Sequence, residues 1–240
     1  MLPIPQVHTA AGVVLWTAGS TRAPLDVWFH PALGDSHLTF RHAFTSELLK
    51  WARVFAYDPP GHGASPPRSR GLTLRQAASL WSELIEHFCG SRPVVLIGHS
   101  MAGIVASHTA SRLHRAPAMV IGVEANLAPA DAYFTGLAAQ FDEPSAFYTV
   151  LRSRVLQLAR KDVGARRFAS SLEFADPMTL WTLGRSVAAQ RDPGRAFRRL
   201  PCAKMHYWDR SGTSKDARNY LATHRLPNRS LSGLIGRAHV

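Results

Sequence analysis

The sequence predicts an α/β fold, a mostly parallel sheet flanked by helices, and three observations predict it. Residues 94–97 (Val-Val-Leu-Ile) and Met119–Val123 are short, almost wholly apolar runs rich in β-branched side chains. Such runs fit strands buried on both faces, as parallel strands are. Helical periodicity alternates with them, in Leu74–Cys89 before the first run and from Ile104 after it, which is the order of a sheet with crossover helices. At 240 residues and 46% hydrophobic content, the chain is long enough for one such domain with an insertion.

Taken in order, residues 12–17 and 26–30 are apolar, bounded by turn residues, and read as two early strands. Residues 40–49 are amphipathic and lead into a strand at 54–58. Thr73, followed by Gln76 three residues on, forms a capping box for the helix Leu74–Cys89, since each side chain can satisfy a backbone N–H of the first turn. The strand at 94–97 and a helix to about residue 114 follow, then the strand Met119–Val123. Residues 127–199 read as helical segments at 132–140, 146–160, 177–190 and 194–200. The core resumes at 202–208, continues with a helix over 215–224, and closes with a strand at 230–235. No internal repeat or low-complexity segment interrupts this order.

Between the strand at 94–97 and its helix lies Gly98-His99-Ser100-Met101-Ala102-Gly103. Small neighbours let the backbone turn sharply there, so that a serine hydroxyl stands at a strand end and a helix N-terminus. The segment resembles the G-x-S-x-G signature of the α/β-hydrolase family: Gly98 and Ser100 match, Ala102 replaces the last glycine, and Gly103 follows. His30-Pro31-Ala32-Leu33-Gly34 resembles the family's H-G-x-x-G loop, with Pro31 where glycine is usual. The resemblance implies an oxyanion hole made by the amides of Met101 and Ala32, with Leu33 the less favoured second donor. Pro31 lacks an N–H but precedes the donor, so it stiffens the loop without deleting the group. Residues 58–65 resemble the D-x-P-G-x-G-x-S turn, which is structural in the family, so Asp58 and His62 are assigned no chemistry. His99 and Leu33 are read as pocket-lining residues. The resemblance spans nearly the whole chain; it implies a hydrolase core at 1–126 and 200–240 and a helical cap at 127–199.

A serine hydroxyl needs a base, and the base works best when a carboxylate orients it. By the resemblance the base follows the last strand, where His239 stands in Arg237-Ala238-His239. Two carboxylates compete for the third role. In most of the family the acid follows the penultimate strand, but Ser211 holds that place and Asp209 lies two residues early. A second family arrangement puts the acid after the strand that follows the elbow helix, and Glu124 ends Met119–Val123 there. Glu124 is the favoured reading, Asp209 the alternative.

These residues imply hydrolysis of an ester-like bond (carboxylic ester, thioester, lactone or carbon–carbon) through an acyl-enzyme on Ser100. Serine at the elbow argues against the alkyl-enzyme chemistry of relatives with an aspartate nucleophile. The rival reading is a degenerate, non-catalytic binding protein on the same fold, favoured by Ala102, Pro31, Ser211 and the lack of a helix after His239. No metal, nucleotide or flavin site is evident, so no cofactor is expected. Two distant cysteines, Cys89 and Cys202, suggest buried thiols rather than a disulfide framework. Without a signal-like N-terminus or a membrane-length apolar run, the expectation is a soluble cytoplasmic protein acting on a small molecule. Residues 1–150 carry ten basic and ten acidic residues, residues 151–240 eighteen and six, so the net charge of +12 sits in the second half. That excess reads first as an arginine-rich solvated surface and, as the alternative, as one that attracts an anionic substrate, nucleic acid or anionic lipid; its scattered arginines lack the interleaved aromatics of a nucleic-acid platform, and no nucleic-acid partner is expected.

Overall fold

The computed structural model describes residues 5–210 and 213–231. The strands are β1 (Gln6–Ala10), β2 (Val13–Ala18), β3 (Leu25–His30), β4 (Ala52–Tyr57), β5 (Val94–His99), β6 (Met119–Val123), β7 (Ala203–Asp209) and β8 (Asn228–Leu231). They form a single eight-stranded sheet in the order β1-β2-β4-β3-β5-β6-β7-β8. The β1–β2 and β2–β4 pairings are antiparallel, and every pairing from β4 to β8 is parallel. Strand order reverses between β3 and β5, so their carboxyl ends open a crevice at the place where ligands bind in such sheets.

The central strands alternate in what they bury. Trp28 and Phe55 sit opposite each other in register and stack at 4.3 Å, with Trp81 and Leu84 of α1 (Leu74–Cys89) in the same cluster. On the other face Val27, Phe29, Val54 and Ala56 pack against Phe44. Each large side chain buried this way contributes about 2–3 kcal/mol from the transfer of its apolar surface. Asp26 is fully buried at the start of β3 and survives there because Arg53 grips it through two hydrogen bonds of 2.9 and 2.7 Å.

The helices follow from local signals. The Thr73/Gln76 capping box opens α1. The elbow helix α2 (Ala102–Ala110) is shorter than the sequence suggests. Between β6 and β7 lie α3 (Pro144–Ala159), α4 (Val163–Leu172), α5 (Pro177–Ala188) and the short α6 (Arg195–Arg198). Proline at the first position of α3 and α5 has no N–H to leave unpaired, and Asp176 accepts the Thr179 N–H at 2.7 Å to cap α5. Asp162 accepts from the Ala165 N–H to open α4, a helix the periodicity of residues 146–190 does not single out. The amphipathic stretch at 40–49 is built from 3-10 turns, His37–Thr45 and Glu47–Lys50. The edge strand β1, absent from the expectation, is mostly exposed and carries no apolar alternation. Strand β8 begins two residues before the expected one, and α7 (Lys215–Thr223) precedes it. Of the two thiols, Cys89 is buried and accepts the Trp28 indole N–H, while Cys202 is only partly buried.

The inserted segment is tied to the sheet's flanking layer. Thr182 of α5 accepts the Leu72 N–H at 3.0 Å, and Ser186 accepts the Leu74 N–H at 3.2 Å. The Asp176 amide donates to Gly61 O at 2.7 Å. Among the described residues no helix is long and apolar enough to cross a membrane.

Candidate active site

Ser100 follows β5 with φ of +56°, in the left-handed region that a side chain rarely adopts. Its backbone is pinned on both sides: the amide donates to Val123 O at 3.0 Å, and the carbonyl accepts from Gly103 N at 3.0 Å and Asn126 N at 3.1 Å. The turn is tight enough to demand glycine on either side. A Cβ on residue 98 would lie 2.2 Å from the Ala102 carbonyl oxygen, and one on residue 103 would lie 2.2 Å from the Ala125 Cβ. The close approaches fall at Gly98 and Gly103, which is why Ala102 is accommodated between them, fully buried. Ser100 thus stands at the N-terminus of α2, where the helix dipole favours negative charge.

The loop after β3 reaches the same place. His30 is buried and held neutral by burial, its pKa lowered to about 3, and its Nδ1–H donates to Pro31 O at 2.8 Å. That bond fixes the loop just before Ala32 and Leu33, which line one cavity with His99 and Ser100. Among the described residues neither the Met101 nor the Ala32 amide is committed to another group. Asp58 accepts from the His37 and Ala64 amides at 2.7 and 2.8 Å, which makes it the anchor of its turn. His62 is fully buried beside it, with Nδ1 bonded to Pro60 O.

The cavity measures about 780 Å³. Ser100, Val123 and Asn126 line it from the sheet, and Phe134, Phe168 and Phe174 line it from the inserted segment. Arg41 and Arg167, both exposed, are also among its lining residues. Asp35, also in its wall, is buried and pushed up to about 7 by desolvation, with the Ser171 and Thr39 hydroxyls hydrogen-bonded to it.

The two candidate acids lie side by side. Glu124 has φ of +47° at the end of β6, and its amide donates to Tyr207 O at 2.8 Å. Its carboxylate accepts from the Asp209 amide and, at 3.3 Å, from the Thr213 hydroxyl. Burial pushes Glu124 up to about 7, opposed by those two hydrogen bonds. Asp209 ends β7 and is itself buried. His239 and Ser211 lie outside the described residues. Residues the sequence reading passed over are Asn126, which accepts the Ser100 Oγ–H at 3.0 Å, and Asp35. The signal for Asn126 was its place two residues beyond Glu124, at a strand end next to the elbow. Among the described residues no group of three His, Cys, Asp or Glu is placed to hold a metal ion.

A strained serine at a strand-to-helix turn, on the carboxyl edge of a mostly parallel sheet, defines a class. A family model described as the alpha/beta hydrolase family matches residues 27–240, and the chain belongs to that family. Its fold is similar to that of a hydrolase from Pseudomonas aeruginosa PA01, at 20% identity with a TM-score of 0.70 over 96% of this chain and 90% of that one. An enol-lactonase from Burkholderia xenovorans LB400 gives 18% identity and 0.71 over 97% and 93%. A thermophilic esterase from Thermogutta terrifontis gives 15% and 0.68 over 96% and 89%. One curated protein, the dihydrolipoyllysine-residue acetyltransferase component of the acetoin cleaving system of Cupriavidus necator, is 34% identical over 87 residues, 32% of this chain. The chain spans only 23% of that relative's length.

Proposed function

We propose that this protein is a serine hydrolase that cleaves a carboxylic ester or a similar acyl bond through a covalent intermediate on Ser100. The observation that carries the reading is Ser100 itself, held at φ of +56° at a helix N-terminus and opening on a cavity of about 780 Å³. Ser100 Oγ attacks the carbonyl carbon while its proton passes to His239. The oxyanion is held by the amides of Met101 and Ala32, with the α2 dipole behind them. The imidazolium of His239 returns the proton to the leaving oxygen as the acyl bond breaks. Water then attacks the acyl-Ser100 ester, giving up a proton to His239, which passes it to Ser100 Oγ as the acyl–oxygen bond breaks and the carboxylic acid departs.

Glu124 is our acid, orienting His239. Its support is a second left-handed backbone at the sheet's carboxyl edge, beside Ser100, since such strain persists where the surroundings over-determine it. Asp209, one strand away, is the alternative. Residues 127–199 act as the cap. Their phenylalanines make the cavity wall apolar, and Arg41 and Arg167 at its rim suit a substrate with an anionic group remote from the scissile bond. The esterase and the enol-lactonase that share this fold keep carboxylic esters and lactones first among the bond types. The two unpaired cysteines fit a cytoplasmic site of action.

The test is labelling with a fluorophosphonate probe read by mass spectrometry, together with turnover of p-nitrophenyl esters. Modification at Ser100, and loss of turnover in a folded Ser100→Ala variant, are expected. An unmodified Ser100 in a protein that melts cooperatively would instead select the degenerate, non-catalytic reading.

A further inference from the structure

We propose that Asn126 is a positioning residue for Ser100, and that through Thr135 it makes the nucleophile's geometry depend on the inserted helical segment. The proposal rests on the serine-hydrolase reading above. Residue 126 grips residue 100 twice: the Asn126 amide N–H donates to the Ser100 carbonyl at 3.1 Å, and its side-chain Oδ1 accepts the Ser100 Oγ–H at 3.0 Å. The other end of the carboxamide, Nδ2, donates to Thr135 Oγ1 at 3.4 Å. Ser100, Asn126 and Thr135 are 9%, 2% and 3% exposed, so water competes poorly for these bonds and each matters more than it would at a surface.

The chemistry of a carboxamide turns this chain into a device. One end only donates and the other only accepts, and the group is planar. With Nδ2 engaged by Thr135, Oδ1 is presented to Ser100, and a flip would place a donor against the hydroxyl and an acceptor against the threonine. A threonine hydroxyl can accept or donate, so what Thr135 supplies is a fixed partner for the far end of the carboxamide, holding the plane of Asn126 in place beside the nucleophile. Thr135 is itself held by the inserted helices: a Cβ on Gly184 of α5 would come within 3.0 Å of its carbonyl oxygen, so α5 packs directly on its backbone. A displacement of α5 reaches Ser100 by this route. At the nucleophile, the Asn126 bond fixes where Oγ stands before substrate arrives, and the hydroxyl has only to swing its proton towards the base. Once the proton turns to the base, Oδ1 has lost its partner, so the contact belongs to the free enzyme, where it sets the position from which Oγ attacks.

The experiment measures the rate of fluorophosphonate labelling at Ser100, kcat and KM for a p-nitrophenyl ester, and Tm, in the wild type, Asn126→Ala, Thr135→Val and the double variant. Asn126→Ala should slow labelling and kcat by about ten- to a hundredfold, the scale of a misplaced reacting group, with KM within about twofold. Thr135→Val, which keeps the volume and removes the acceptor, should slow both by about three- to tenfold, the scale of one hydrogen bond. In the Asn126→Ala background Thr135→Val should cost nothing further in rate, because the path from residue 135 to Ser100 is already cut. A merely structural role would lower Tm additively and leave the rates of folded protein alone. Wild-type labelling rates in Asn126→Ala, or a Thr135→Val loss that persists in full in that background, would overturn the proposal. Should Asn126→Ala not fold, Thr135→Val decides alone, and unchanged labelling overturns the coupling. A wild type that does not label at Ser100 overturns the serine-hydrolase reading and this proposal with it, which separates the two failures.

Discussion

Ser100 and Glu124 both hold a left-handed backbone, at φ of +56° and +47°, a conformation that costs an ordinary residue about 1–2 kcal/mol. Both are fixed by backbone bonds to the next strand, Ser100 through Val123 O and Glu124 through Tyr207 O. The sheet holds both of these residues in place. That pattern makes a prediction about the acid: Glu124→Gln should lower kcat by about 10³–10⁴-fold, and Asp209→Asn should leave most of it, both measured by ester turnover at matched Tm. The opposite order would move the acid to Asp209. The sharp turn at Ser100 was legible in the sequence because small residues there separate an apolar strand from a helix. Asn126 was not, because its bond to Ser100 arises from two strand ends lying next to each other in the sheet.

At the scale of elements, the elbow depends on close backbone approach. Gly98→Ala would drive a Cβ to 2.2 Å from the Ala102 carbonyl oxygen, a backbone atom of α2 that cannot step aside. The expected outcome is a loss of about 2–4 kcal/mol in a urea titration, as for other overpacked sites with backbone strain. Helix starts were legible at Thr73 and Pro177, where a capping box and a proline mark them, but not at Asp162, whose cap of α4 has no clear apolar period beside it. The amphipathic stretch at 40–49 showed its apolar face but not its 3-10 winding, which is set by docking Phe44 on the sheet. Strand β1 was invisible because an exposed edge strand needs only backbone partners, and these leave no apolar pattern.

At the scale of the whole molecule, burial raises two carboxyls in the cavity wall, Asp35 to about 7 and Asp131 to about 6, and a third outside it, Glu124, to about 7. In each case the folded state keeps a proton that the unfolded chain has released near pH 4. Unfolding therefore releases protons between about pH 4 and pH 7, and stability falls as pH rises through that window. Asp35→Asn, which keeps the shape and removes the charge, should flatten this slope and raise the urea midpoint at pH 8 relative to the wild type, with little change at pH 4. A midpoint at pH 8 no higher than the wild type's would show that Asp35 ionises there without penalty. The cavity itself is a whole-molecule feature, since its walls come from the loop after β3, the end of β5 and helix α4.

The sequence by itself determined the class of fold, the glycine-bounded turn at Ser100, the capping box at Thr73 and a run of helices after the strand Met119–Val123. These rest on short-range constraints: the period of apolar residues, the conformational freedom of glycine, and the satisfaction of helix-end N–H groups. Only the tertiary structure decided that the Asp209 amide donates to the Glu124 carboxylate, that Asn126 and Thr135 stand behind Ser100, and that Asp35 is buried in the cavity wall. Those contacts join residues that are distant in sequence or that belong to different elements, so sheet order and the docking of the inserted helices had to be in place before any of them existed.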